Sequence, residues 1–240
     1  MRAIVLTFDK YRALTEHMMA AYAQLWPGHG LTFRIPFQAL DPSGRDGVEA
    51  VPSPSAIKAT VLTLLADLGD DEWVYWCIDD KYPIDGAFER FSQVAAWLPS
   101  IADPEIAGVL LCRCRGLLGD RALTGAAIAA PWGERLLERA GYHQIWIHQF
   151  VRVKVLRHVF AAFPDDIPSA KALDEMLSRL VKPAAHRLFV AEHNQAVFGE
   201  STSRGMLTQN CYFSMKSRGL PRPDFFDGRL APPIIMGGGS

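Results

Sequence analysis

Two periodicities alternate along the first half of the chain. Ala3-Ile4-Val5-Leu6 is an unbroken apolar run, the pattern of a strand buried on both faces. Leu14, Met18, Ala21 and Leu25 then recur at helical spacing, which predicts a helix from Tyr11 to Trp26 that stops at Pro27-Gly28. Leu31–Ile35 returns to strand character, so strand, helix and strand in that order predict a right-handed parallel crossover. Pro36 to Pro54 is rich in Pro, Gly, Ser and Asp and reads as one long loop. From Ser55, Ile57, Val61, Leu64, Leu65 and Leu68 share a helical stripe with Gly69 as stop signal. Trp73–Ile78 is apolar without alternation, a second fully buried strand. The spacing of Phe88, Phe91, Val94, Ala95 and Leu98 predicts a helix over Ala87 to Leu98.

The second half is less regular. Ile106–Cys112, Gln144–Ile147 and Leu188–Ala191 read as strands, and helices are predicted over Gln149–Phe163, Ala170–Val181 and Met206–Arg218. Gly116–Trp132, rich in Gly and Ala, fits small strands or an exposed loop, and Gly199–Gly205 fits a loop. The sum is an α/β fold: a single Rossmann-like domain over residues 1–220 with a mostly parallel central sheet flanked by helices. Residues 221–240, with Pro221, Pro223, Pro232, Pro233 and a Gly-rich end, are expected to be an extended or disordered tail.

Composition changes this picture little. A chain of 240 residues with 49% hydrophobic and 21% charged positions is an ordinary globular protein. With 25 basic and 26 acidic residues there is no global electrostatic pull towards nucleic acid, so any bound anion must be held locally. Cys77, Cys112, Cys114 and Cys211 match no common zinc spacing and read as reduced thiols, and no apolar run is long enough to span a bilayer. A cytoplasmic protein is the expectation.

The candidate chemistry begins where the strand Trp73–Ile78 ends in two adjacent carboxylates, Asp79 and Asp80. In open α/β sheets ligands bind beyond the carboxyl ends of the strands. Two neighbouring like charges raise each other's pKa unless a cation or hydrogen-bond donors offset them, so the pair invites a divalent metal. The alternative is a solvated loop just past a strand. Lys58, near the start of its helix, is placed to reach a ligand at that edge or simply to face solvent. His148, Gln149 and Arg152 fall at an expected strand-to-helix junction, where Arg152 would hold a phosphate beside backbone N–H groups or, with Lys154 and Arg157, simply be a surface charge.

Together, the hydrophobic strand, the Asp79-Asp80 pair, the Tyr82-Pro83-Ile84-Asp85 turn and the first-strand ending Thr7-Phe8-Asp9-Lys10-Tyr11 resemble the nucleotide-sugar motif of glycosyltransferases of the GT-A fold. The resemblance covers residues 1–100 and thins after Pro131. It implies a UDP-sugar donor, an unknown acceptor, and Mn²⁺ or Mg²⁺ held by Asp80, with Asp79 on the ribose hydroxyls or sharing the metal. It also implies that Thr7, Phe8, Asp9 and Tyr11 line the base pocket, and that His193 and Arg204 close over the diphosphate. A general base is not singled out among Asp120, Glu192 and Glu200. A nucleotide-sugar-binding protein without transferase activity keeps the same pocket. Phosphoryl or nucleotidyl transfer would ordinarily bring a Gly-rich phosphate loop, and neither GxxxxGK[ST] nor an early GxGxxG occurs.

Overall fold

The computed structural model describes residues 1–114, 122–166, 170–224, 226 and 228–237. Its centre is a mixed sheet of nine strands. The first four are β1 (Arg2–Leu6), β2 (Thr32–Phe37), β3 (Val48–Pro52) and β4 (Trp73–Ile78). They lie side by side as β3-β2-β1-β4, all parallel. Beyond this sheet β5 (Lys81–Gly86) leaves the end of β4. The large sheet is completed by β6 (Ile106–Leu110), β7 (Leu123–Ala129), β8 (Arg135–Arg139), β9 (Gln149–Arg152) and β10 (Arg187–Ala191), in the order β4-β9-β6-β10-β8-β7. Only β9 and β8 run against the common direction.

Among the described residues six α-helices cover the two faces: α1 (Arg12–Leu25), α2 (Ile57–Leu64), α3 (Phe88–Trp97), α4 (Val153–Ala161), α5 (Ala170–Arg179) and α6 (Gln209–Ser217). Alternation along the strands divides the core in two. Ala3, Val5, Tyr75 and Cys77 pack with Leu14, Met18 and Tyr22 of α1, Phe91 and Val94 of α3, and Cys211 and Met215 of α6. Ile4, Leu6, Val74, Trp76 and Ile78 pack on the other face with Val61 and Leu64 of α2, Leu156 and Phe160 of α4, and Leu177 of α5. The apolar runs of β1 and β4 are therefore unbroken because both faces are covered. All four cysteines are buried, and none forms a disulfide among the described residues.

Several expectations are corrected. The strand expected at Gln144–Ile147 lies at Gln149–Arg152, and its helix starts only at Val153. The loop expected from Pro36 to Pro54 contains the edge strand β3, whose half-buried residues carry no clear alternation. Gly199–Gly205 is largely paired: β11 (Ala196–Glu200) lies between β5 and β15 (Ile235–Met236), and β12 (Thr202–Ser203) pairs with β13 (Met206–Thr208). The Pro-rich carboxy-terminal segment is extended but not free. Its β14 (Leu230–Ala231) pairs with β13 and β15 pairs with β11, with prolines only where no ladder N–H is needed. Among the described residues no helix is long and apolar enough to cross a membrane.

Candidate functional site

The site is built by strand register. β1 and β4 are in parallel register with Leu6 opposite Ile78, so the next residues, Thr7 and Asp79, emerge side by side at the carboxyl edge. Here the chain order reverses, since β2 lies on one side of β1 and β4 on the other; this is the switch point at which open α/β sheets form a ligand crevice. The Asp79 N–H donates to Leu6 O at 3.2 Å, and Thr7 Oγ1 donates to Asp79 Oδ2 at 2.7 Å. Thr15 Oγ1 of α1 lies 2.8 Å from Thr7 Oγ1 and extends the chain of hydroxyls. The Asp79 carboxyl is pushed up to about 8, first by burial and then by the charge of Asp80, against the opposing hydrogen bond from Thr7.

His148 holds the strand end from below. Its Nδ1 is 2.7 Å from Tyr22 Oη, and its Nε2 lies within 3.0 Å of both backbone polar groups of Ile78, the residue before Asp79. Burial pushes the imidazole down to about 3, so it is neutral.

Asp80 turns the other way. Its Oδ2 accepts from Lys81 Nζ at 2.9 Å, and the same ammonium donates to Glu200 Oε1 at 2.8 Å. Antiparallel register explains the meeting, because Lys81 of β5 sits opposite Glu200 of β11. The Ser201 N–H donates to Asp80 O at 2.6 Å and fastens the loop after β11 to the same turn. Burial pulls the Lys81 ammonium down, but Asp80 and Glu200 outweigh it and the net shift is upward. Asp80 Oδ1 is buried and accepts no hydrogen bond from the described residues.

These contacts test whether a divalent ion fits. Asp79 Oδ2 faces Thr7, Asp80 Oδ2 and Glu200 Oε1 face an ammonium, and Asp80 Oδ1 is the one buried oxygen of these three carboxylates without a partner among the described residues. Among the described residues no group of three His, Cys, Asp or Glu side chains is arranged to hold a metal. With these side-chain positions, Mg²⁺ or Mn²⁺ does not fit the cluster.

The remaining expected residues are spread along the edge. Asp9 is consumed by its own fold: Oδ2 accepts from the N–H groups of Gln38, Ala39 and Leu40 at 3.2, 2.6 and 2.9 Å, while Oδ1 accepts from Arg12 at 3.0 Å. Burial raises its pKa, but these donors outweigh it and the net shift is downward. Phe8 packs against the α2 side of the core, and Lys10 lies over the Tyr11 ring at 5.5 Å. Lys58, on the first turn of α2, pairs with Asp165 at 2.9 Å. Arg204 is exposed at the turn between β12 and β13, with φ of 50°. His193 follows β10, three strand spacings or roughly 14 Å from β4. There it lines a cavity of about 370 Å³ with Trp132, Glu134, Arg135 and Glu192. Asp120 lies outside the described residues.

Arg152 is a correction. Because β9 is antiparallel to β4, Arg152 is opposite Trp73 and hence at the amino edge, remote from Asp79. Its guanidinium donates to Ile106 O and Asp71 O and lies 4.7 Å from the Trp73 ring centroid, a packing role. Sequence reasoning overlooked Lys81, whose buried pairing is a cross-strand effect with no local signal. It also overlooked Thr15, one helical turn inside α1, whose place beside Thr7 only the helix packing reveals.

No protein-family model and no curated protein matches this chain. Among solved structures it is similar to residues 1–349 of S. aureus TarS, at 12% identity and a TM-score of 0.45, covering 81% of this chain and 58% of that one. It is also similar to the galactosyltransferase LgtC in complex with donor and acceptor sugar analogs, at 12% identity and a TM-score of 0.43, covering 91% and 79%. A third likeness is to 4-diphosphocytidyl-2C-methyl-D-erythritol synthase from Anaerococcus prevotii, at 10% identity and a TM-score of 0.39, covering 91% and 95%. The chain thus spans little more than half of the TarS fragment. Likenesses this distant carry no weight for activity.

Proposed function

We propose that the crevice between β1 and β4 binds a nucleoside diphosphate sugar, and that the protein is a glycosyltransferase using a UDP-sugar donor and a separate acceptor. The observation that carries this reading is the Thr7–Asp79 hydrogen bond of 2.7 Å at the switch point of the sheet. It joins the two segments whose residues carry the GT-A resemblance. Over residues 1–100 that resemblance extends to majastridin, a bacterial protein of GT-A-like fold.

In this reading Thr7, Phe8 and Tyr11 line the base pocket and Asp9 shapes it by clamping residues 38–40. The Asp79 carboxyl, held by Thr7, faces the ribose hydroxyls. Lys58 and Arg204 bring positive charge to the rim, and His193 belongs to the acceptor end. A divalent ion at Asp80, part of the resembled family's chemistry, would first have to displace the Lys81 ammonium. The second reading is a nucleotide-sugar-binding protein without transfer. It is favoured by the engagement of two base candidates in ion pairs, Glu192 with Arg135 at 2.9 Å and Glu200 with Lys81 at 2.8 Å.

Calorimetric titration with UDP, with GDP and ADP as controls, tests the pocket. Selective UDP binding that is weakened by Asp79→Ala is the expected result; no binding of any of the three withdraws the reading. Turnover of UDP-sugars, as hydrolysis or transfer, then separates the enzyme from the binding protein.

A further inference from the structure

Lys81 is buried, at 6% exposure, yet its charge is fully compensated. Its ammonium lies 2.9 Å from Asp80 Oδ2 and 2.8 Å from Glu200 Oε1, two carboxylates brought together from the ends of β4 and β11. A Mg²⁺ ion between those oxygens would need contacts of about 2.1 Å, so it cannot share the space with the ammonium. A second cation beside Lys81 would meet only Asp80 Oδ1 as an unengaged, buried oxygen of the pair. Lys81 is also anchored by its own strand, since the Lys81–Glu200 pair opens the β5–β11 ladder.

We propose that Lys81 is the resident cation of this cluster: it occupies the position that a divalent ion would take, so ligand binding at the Asp79–Asp80 turn is independent of divalent metal. The statement about the ligand rests on the nucleotide reading above; the statement about the metal does not. The lysine thereby offsets one of the two carboxylate charges permanently. Removing it leaves Asp80 and Glu200 facing each other with no cation between them, and that vacancy is what a hard divalent ion fills.

Mn²⁺ binding to the full chain without nucleotide, followed by electron paramagnetic resonance, separates the two statements. Wild type is expected to leave Mn²⁺ free, and Lys81→Met to bind it in a form lost again in the Lys81→Met, Asp80→Asn double variant. Saturable Mn²⁺ binding by wild type that Asp80→Asn removes would overturn the proposal, and this arm decides even if Lys81→Met does not fold. A folded Lys81→Met that binds no Mn²⁺ would also overturn it. UDP titrated in EDTA and in Mn²⁺ is expected to give an affinity ratio near one; a marked gain with Mn²⁺ counts against Lys81 as the cation. Absence of UDP binding in both buffers would remove the nucleotide reading alone, leaving the Mn²⁺ arm to judge Lys81.

Discussion

Asp79 accepts a hydrogen bond of 2.7 Å from Thr7 although the two residues are 72 positions apart in the chain. The parallel register of β1 and β4 makes them neighbours, and the Tyr22–His148–Ile78 contacts keep the end of β4 in place beneath them. Burial at this junction controls how the site responds to pH.

The Asp79 carboxyl has an ordinary value of 3.8 and a folded value of about 8. The folded state therefore binds this proton more tightly than the unfolded chain, and stability from this group falls as pH rises between the two values. In EDTA, Asp79→Asn is expected to stabilise the protein, relative to wild type, by about 2–4 kcal/mol more near pH 9 than near pH 4. Urea unfolding at the two pH values checks this; an equal offset at both would contradict it.

Three buried histidines act in the opposite direction. Burial pushes His17 and His148 down to about 3 and His186 to about 4, from an ordinary 6.5. Only the unfolded chain takes up these protons between the folded values and 6.5, so stability drops as pH falls through that window. The expected melting temperature is highest a little above pH 6, and His148→Gln should shrink its acid-side slope by the share of one proton. Differential scanning calorimetry across the range reads the slope directly.

Asp9 organises the loop after β2 through three backbone N–H groups and Arg12. Its depressed pKa means that this support is present above the ordinary carboxylate value and lost as pH falls through the folded one. Asp9→Ala should cost about 1–3 kcal/mol and expose residues 38–46 to protease, with a smaller loss for Asp9→Asn. Unchanged cleavage would show that the loop holds itself.

Gly199 faces Tyr82 across the β11–β5 ladder, and a Cβ there would sit 2.5–2.7 Å from the tyrosine ring. Gly199→Ala is expected to cost about 1–3 kcal/mol by forcing the two strands apart. The same displacement would loosen the neighbouring Lys81–Glu200 pair, so hydrogen exchange in β5 and β11 should rise together.

The strands Ala3–Leu6 and Trp73–Ile78, the helices over α1, α2 and α3, and the carboxylates at the end of β4 were all legible in the sequence. Each follows from local pattern: an unbroken apolar run, a 3.6-residue stripe, or charge placed directly after a core strand. The parallel run of the first strands was legible too, but register and the direction of β9 were not. Nothing near Arg152 signals that β9 runs antiparallel, and that single reversal carries the arginine to the opposite edge of the sheet. Glu200 stands only among the possible general bases and Lys81 has no assigned role; nothing in the sequence links the two, 119 positions apart, until the ladder sets them opposite each other. The Pro-rich end is expected to be an extended or disordered tail, yet two-residue strands in it pair with strands that already exist. Local chemistry determined which segments fold and where the candidate site begins. Which charges meet there depended on strand pairing between distant segments, an energy that belongs to the assembled sheet and to no stretch of sequence alone.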